Sequence, residues 1–98
     1  MRYLILSDIH GNRQGLEAAL ADAAGKYEEI LCLGDIVGYG GDPKYVLDWT
    51  RANVKTICRG NHDKAAAGLD DLEWFNPVAR TSALWTREIL GAESVQYL

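Results

Sequence analysis

The sequence predicts an α/β protein built on a parallel sheet, and two observations carry that prediction. Short, nearly continuous apolar runs alternate along the 98-residue chain with segments whose apolar residues recur at helical spacing. Each apolar run also ends in a cluster of polar residues and glycine, the pattern of strands that meet a ligand at the carboxyl edge of an open α/β sheet. Strands alternating with helices imply right-handed crossovers and parallel pairing.

Tyr3 to Ser7 comes first and is almost entirely apolar, as suits a strand covered on both faces. Residues 13–24 carry Leu16, Ala19, Leu20, Ala23 and Ala24 on one helical stripe, with Asn12 as the N-cap and Gly25 as the stop. Ile30 to Leu33 reads as a second buried strand. Asp42-Pro43 opens a helix running to about Ala52, with aspartate as the cap and proline at the first helical position. Val54 to Cys58 is the third strand. Asn76-Pro77 repeats the cap-plus-proline start for a last long helix, which has Val78, Trp85 and Ile89 on one face and Gly91 after it. Trp49, Trp74 and Trp85 read as packing residues. No repeat, linker or low-complexity tract divides the chain, so residues 1–98 are expected to form part of one domain.

Composition narrows the function. Apolar residues make up 48% and charged residues 24%, a globular balance. No apolar run approaches the roughly 20 residues that span a bilayer. Ten basic against 14 acidic residues leave a net charge of −4, and no basic cluster offers a nucleic-acid surface. Arg2 and a strand-like run come after Met1 without a small-residue cleavage site, which argues against a signal peptide and for a cytoplasmic protein. Cys32 and Cys58 lack metal-type spacing and read as two buried thiols.

The chemistry lies in the segments at the strand ends: Ser7-Asp8-Ile9-His10-Gly11-Asn12, then Gly34-Asp35-Ile36-Val37-Gly38, then Arg59-Gly60-Asn61-His62-Asp63. Parallel topology brings all three clusters to one edge of the sheet. Asp8 and Asp35 would repel each other there unless a cation lay between them. Their oxygens, the Asn61 amide oxygen and the His10 imidazole suit divalent first-row ions. The alternating spacing of Asp8 and His10 on an extended strand end puts both side chains on one side, able to grip one ion. Gly34 allows close backbone approach, so that Asp35 can bridge two ions, the second also held by Asn61. His62 stands next in sequence as a proton donor outside the metal shell. Two ions about 3.5–4 Å apart suit in-line phosphoryl transfer.

Each motif alone is weak: D-x-H arises by chance in roughly one chain of this size in ten, and Gly-Asp and Gly-Asn are common turns. Their order after successive strands is the signal, strengthened because the chain's 2 histidines both fall inside the clusters. Residues 38–43 begin as G-x-G but have Pro43 where a dinucleotide fingerprint needs glycine, and no Lys-Ser/Thr pair succeeds them. They read as a flexible turn, which argues against a nucleotide-binding module.

Asp8-Ile9-His10, Gly34-Asp35 and Gly60-Asn61-His62-Asp63, spaced about one β-α unit apart, resemble the N-terminal signature of the calcineurin-like metallophosphoesterase superfamily. The flanking Gly38-Tyr39-Gly40 through Asp42-Pro43 and the stretch from Leu72 to Pro77 resemble bacterial and archaeal serine/threonine phosphatase-like members. The resemblance implies a β-α-β-α-β-α half of a two-sheet sandwich with α/β/β/α layers. It implies hydrolysis of a phosphomonoester or phosphodiester by two divalent ions drawn from Mn, Fe, Zn or Ni, with Mn first. Asp8 and His10 would hold one ion, Asp35 would bridge, Asn61 would hold the second, and His62 would protonate the leaving oxygen.

Two departures shape the expectation. Relatives such as the protein phosphatases orient the catalytic histidine with a second aspartate four positions into the G-D motif. Gly38 stands there in this chain, which leaves Asp63 or a residue outside the chain to do so. Relatives also take further ligands from a lone histidine and a G-H-x-H motif in their C-terminal half, and this chain has no third histidine. It reads as the N-terminal part of a metallophosphoesterase, with an incomplete site of its own. A homodimer, or the missing C-terminal half, is expected on the strand face opposite the 13–24 helix. The alternative is a non-catalytic interaction scaffold on the same fold.

Overall fold

A computed structural model describes residues 1–69, 72 and 75–98. Trp74, expected as a packing residue, lies outside them. The order of elements is β1 (Tyr3–Leu6), α1 (Arg13–Ala23), β2 (Glu29–Cys32), α2 (Pro43–Asn53), β3 (Thr56–Ile57), α3 (Asn61–Ala66) and α4 (Pro77–Tyr97). The strands form a parallel sheet in the order β1-β2-β3. Tyr3 pairs with Glu29 through to Leu6 with Cys32, and Cys32 pairs with Ile57. The α/β class and the alternation expected from sequence are those the chain adopts.

Local chemistry sets most of the boundaries. Asn12 caps α1 by accepting from the Gly15 N–H at 2.9 Å, and Gly25 lies beyond the helix with φ 76°. Asn76 caps α4 by accepting from the Ala79 N–H at 2.8 Å, with Pro77 in the first turn. Asp42 occupies the N-cap position of α2, but its side chain makes no capping hydrogen bond, and Pro43 alone carries the expected start. Gly91, with φ 78° and ψ 172°, breaks α4 as expected of a stop, but the chain then resumes as helix.

The sequence does not predict α3, because its residues read only as a polar strand end. It begins at Asn61 because Asp63 reaches back to accept the Gly60 N–H at 3.0 Å. Arg87 of α4 closes its other end, donating to the carbonyls of Ala65 at 2.8 Å and Ala66 at 3.0 Å.

One core serves the whole chain. Leu16 of α1, Ile30 and Cys32 of β2, Val46 and Leu47 of α2, and Leu90 of α4 are its buried members, with Leu4, Leu6 and Ile57 packed against them. The helices therefore cover one face of the sheet. On the other face Tyr3, Ile5 and Leu33 are 50%, 60% and 57% exposed, so β1 is covered on one face within this chain rather than on both. Cys32 is buried but Cys58 is exposed, which corrects the reading of two buried thiols. Among the described residues no helix is long and apolar enough to cross a membrane.

α4 corrects a second reading. Its buried residues are Ala79, Ala83, Thr86, Leu90 and Ser94. Val78, Trp85 and Ile89, which share a face as expected, are exposed instead.

Candidate metal centre

Past the last residues of β1 and β2, backbone pairing continues and zips the two adjoining loops together. Leu33 donates to Leu6 O, Asp8 to Gly34 O, His10 to Asp35 O and Gly11 to Ile36 O, at 2.7–3.0 Å. The third cluster joins because Gly34 (φ 112°) has no side chain: a Cβ there would come within 2.6 Å of the Gly60 nitrogen. Three segments distant in sequence thus converge at one end of the sheet.

One ligand atom from each of Asp8, His10 and Asp35 can be chosen so that all lie within 4.8 Å of one another. His10 Nε2 is 3.5 Å from Asp8 Oδ1. His10 Nδ1 is 3.1 Å from the Val37 carbonyl, which fixes the tautomer with the proton on Nδ1 and leaves Nε2 as an electron-pair donor. Ser7 donates to Asp8 Oδ2 at 2.6 Å, and this hydrogen bond chiefly holds the Asp8 carboxyl below its usual range. Asp35 Oδ1 accepts the His62 backbone N–H at 3.0 Å. The Asn61 side-chain amide lies against Asp35, one of its terminal atoms 3.2 Å from Oδ2 and 3.3 Å from Oδ1. The four residues expected as ligands are therefore neighbours, and the mixture of carboxylate, amide and imidazole fits a divalent first-row ion.

The means of convergence differs from the expectation. Asp8 and His10 do not sit on an extended strand end. Their φ angles are 57° and 51°, in the left-handed region, and Asp35 has φ 55°. With Tyr39 at φ 66°, these are the positive-φ residues other than glycine among those described. Such backbone costs of the order of 1–3 kcal/mol per residue and persists where the surroundings enforce it. All of it is concentrated here.

His62 lies beside the cluster, its ring centroid 4.9 Å from that of His10, 4.8 Å from Tyr39 and 5.2 Å from Phe75. Burial in this aromatic surround pushes its pKa below the ordinary histidine value, against the opposing pull of Asp35. Gly38 is what admits the ring: a Cβ at that position would lie 2.9 Å from both His62 Cβ and Nδ1. Where relatives use an aspartate to orient this histidine, packing occupies the space.

Asp63 does not take the expected role of orienting His62, because its carboxylate has other partners. The residue is fully buried, and Oδ1 accepts the Val37 N–H while Oδ2 accepts the Gly60 N–H, both at 3.0 Å. Burial pushes its pKa up, and the backbone donors oppose that shift. Among the described residues no hydrogen bond joins it to the His62 ring. Asp63 instead ties the segment 34–38 to the segment that begins at Arg59.

Residues 38–43 read from sequence as a flexible turn, yet Gly38 and Tyr39 are part of the site. Tyr39 packs edge-on to His10 at 5.4 Å, and its N–H donates to Ser82 Oγ of α4 at 2.5 Å. The one signal in the sequence is an aromatic residue held between glycines two positions beyond Val37, which bonds His10. That is too common a pattern to single out.

Comparison with known proteins agrees with this geometry. Residues 1–94 match the calcineurin-like phosphoesterase family. The uncharacterized protein MJ0912 of Methanocaldococcus jannaschii is 36% identical over 95 residues, which are 96% of this chain and 39% of that protein. The crystal structure of a metallophosphoesterase from Sphaerobacter thermophilus superposes with a TM-score of 0.81 at 47% identity, covering 99% of this chain and 40% of that one. The chain thus spans about two fifths of the length of each relative. A match across nearly the whole chain, with the three motifs gathered at the end of the sheet, means that this chain belongs to the calcineurin-like phosphoesterase family.

Proposed function

We propose that this chain carries the N-terminal part of a metal-dependent phosphoesterase site, hydrolysing a phosphomonoester or phosphodiester with two divalent ions, Mn²⁺ first among them. The observation that supports this best is the close set of Asp8, His10 and Asp35 donors held on three left-handed, non-glycine residues. A scaffold that bound no metal would have no use for that backbone.

Asp8 and His10 would hold the first ion, and the Val37 carbonyl, by taking the His10 Nδ1 proton in a hydrogen bond, would leave Nε2 free as the ligand atom. Asp35 and Asn61 would hold the second through carboxylate and amide oxygens, with Asp35 shared between the two. Such ions polarise the phosphoryl oxygens and offset charge that builds up in the transition state. His62 stands beside the cluster, its ring centroid 4.9 Å from that of His10, and would deliver a proton to the leaving oxygen. The aromatic surround keeps water from its flanks and fixes its ring. Further ligands come from outside this chain, as does the cover of the open face at Tyr3, Ile5 and Leu33, supplied by the rest of a longer protein or by a second copy.

The test compares His62→Ala with Asp35→Ala in the full-length protein. Loss of a positioned acid should lower turnover about 10²–10⁴-fold with bound metal retained. Asp35→Ala should lose metal and turnover together. If His62→Ala strips metal equally, His62 is a ligand and the assignment of the acid fails. Full metal content in Asp35→Ala would remove the bridge.

A further inference from the structure

On the far side of Tyr39 from the candidate metal centre runs an open groove of about 540 Å³ lined by Tyr39, Pro77, Val78, Thr81, Ser82 and Trp85. Its walls are Pro77, Val78 and Trp85 with the hydroxyl residues Thr81 and Ser82 on the α4 side, and Tyr39 opposite them. Val78 is 70% exposed and Trp85 41%, a cost in bare apolar surface that burial on α4's inner side does not require. Tyr39 is the shared wall: its ring meets His10 and His62 at centroid distances of 5.4 and 4.8 Å. Its left-handed backbone, φ 66°, is tied to α4 by the hydrogen bond to Ser82 Oγ. The groove and the candidate site therefore share Tyr39, whose ring also contacts the histidine assigned to the leaving oxygen.

We infer that this groove is the leaving-group subsite, and that it takes a flat, apolar or aromatic group esterified to the phosphate. The inference rests on the phosphoesterase reading and adds its substrate class. A phosphate bound through cations on Asp8, His10 and Asp35 would lie beside the His10 and His62 rings, and Tyr39, which packs on both, is the next side chain a group attached to it would meet. The groove beyond presents an indole, a phenol ring and aliphatic surface, which favour a planar apolar group through area removed from water and through ring stacking. Among the described residues its lining has no charged side chain, so a charged leaving group finds no ion-pair partner there.

The test is binding rather than turnover, by calorimetry on the manganese-loaded full-length protein. Inert phosphonates remove leaving-group reactivity from the comparison. Phenylphosphonate should bind about tenfold tighter than methylphosphonate, the ratio expected from burying one ring face. Trp85→Ala should bring the two within about twofold, by weakening phenylphosphonate alone. Val78→Ser, at an exposed position that folding does not depend on, should reduce the ratio in the same direction. Equal affinities in the unsubstituted protein would overturn the subsite, since other parts of the chain or a second copy would then fill the groove. A tenfold ratio that survives both substitutions would also overturn it. If neither phosphonate binds while manganese does, the phosphoesterase reading falls, a separate and recognisable failure.

Discussion

The two sides of α4 use opposite chemistry. The inner side is built from Ala79, Ala83, Thr86, Leu90 and Ser94, small residues with a single leucine, and all are buried. The outer side carries Val78, Trp85 and Ile89, all large, apolar and exposed. Size, not hydrophobicity, decides which goes in. α4 packs against both α2 and α3, and small side chains let helix axes approach closely. A tryptophan on that side would hold α4 away from α3 and break the bonds from Arg87 to the Ala65 and Ala66 carbonyls. The outer side is free of that constraint, and at its N-terminal end it borders Tyr39. The comparison shows why the two stripes are separate: one fixes the position of α3, which carries His62, and the other is available to a ligand.

The largest expected difference between the sides comes from Leu90, the one large residue of the inner row, which is 5% exposed and part of the core. Leu90→Ala removes its buried methyl groups and leaves a cavity between α4 and α2. The loss should be about 2–5 kcal/mol in urea unfolding of the full-length protein. A loss below about 1 kcal/mol would mean that α4 is not clamped through this row.

How far the sequence exposes this architecture depends on the kind of signal each part carries. The strands and the starts of α1 and α4 are legible because local chemistry writes them: apolar runs, Asn12 and Asn76 as caps, Pro43 and Pro77 in first turns. The family motifs place Asp8, His10, Asp35, Asn61 and His62 near one another because parallel topology sends every strand end to the same edge. The hidden part is set by packing. Both rows of α4 recur at helical spacing, so periodicity identifies a helix without saying which side is inside. The left-handed backbone at Asp8, His10 and Asp35 is imposed by hydrogen bonds between loops, for which residue types give no hint. Asp63 and Asp35 look alike in sequence, after a glycine or near one. Only burial shows that one carboxylate is spent on two backbone amides while the other faces its fellow carboxylate.

A smaller effect of opposite sign is expected at Thr86. Its hydroxyl is buried on the inner side, and among the described residues it has no hydrogen-bond partner. A buried hydroxyl left unpaired costs about 1–3 kcal/mol of desolvation. Valine keeps the shape, replaces the hydroxyl by a methyl group and has similar helix propensity. Thr86→Val should therefore raise stability by about 1 kcal/mol, read as a higher urea midpoint at unchanged slope. A destabilisation of that size would show that the hydroxyl has a partner, and that the inner side is more polar than its packing indicates.

The smallest effect is expected on the outer side, at a position clear of the groove. Ile89 is 49% exposed and lies one turn beyond Trp85. Serine there gives up some apolar contact but little helix propensity, and exposed substitutions away from special features usually change stability by less than about 0.5 kcal/mol. Ile89→Ser should fall within that range and leave the ratio of phenylphosphonate to methylphosphonate binding unchanged. Val78→Ser, about three turns nearer the N-terminus on the same side, should share the first property and not the second, because it alone borders the groove. That contrast separates a ligand surface from a buried interface. If the outer stripe is instead covered in the full-length protein, both serines should cost about 2 kcal/mol or more, as burial of a large aliphatic side chain implies. The two sides of α4 would then be two interiors, and the exposed stripe would no longer favour a subsite.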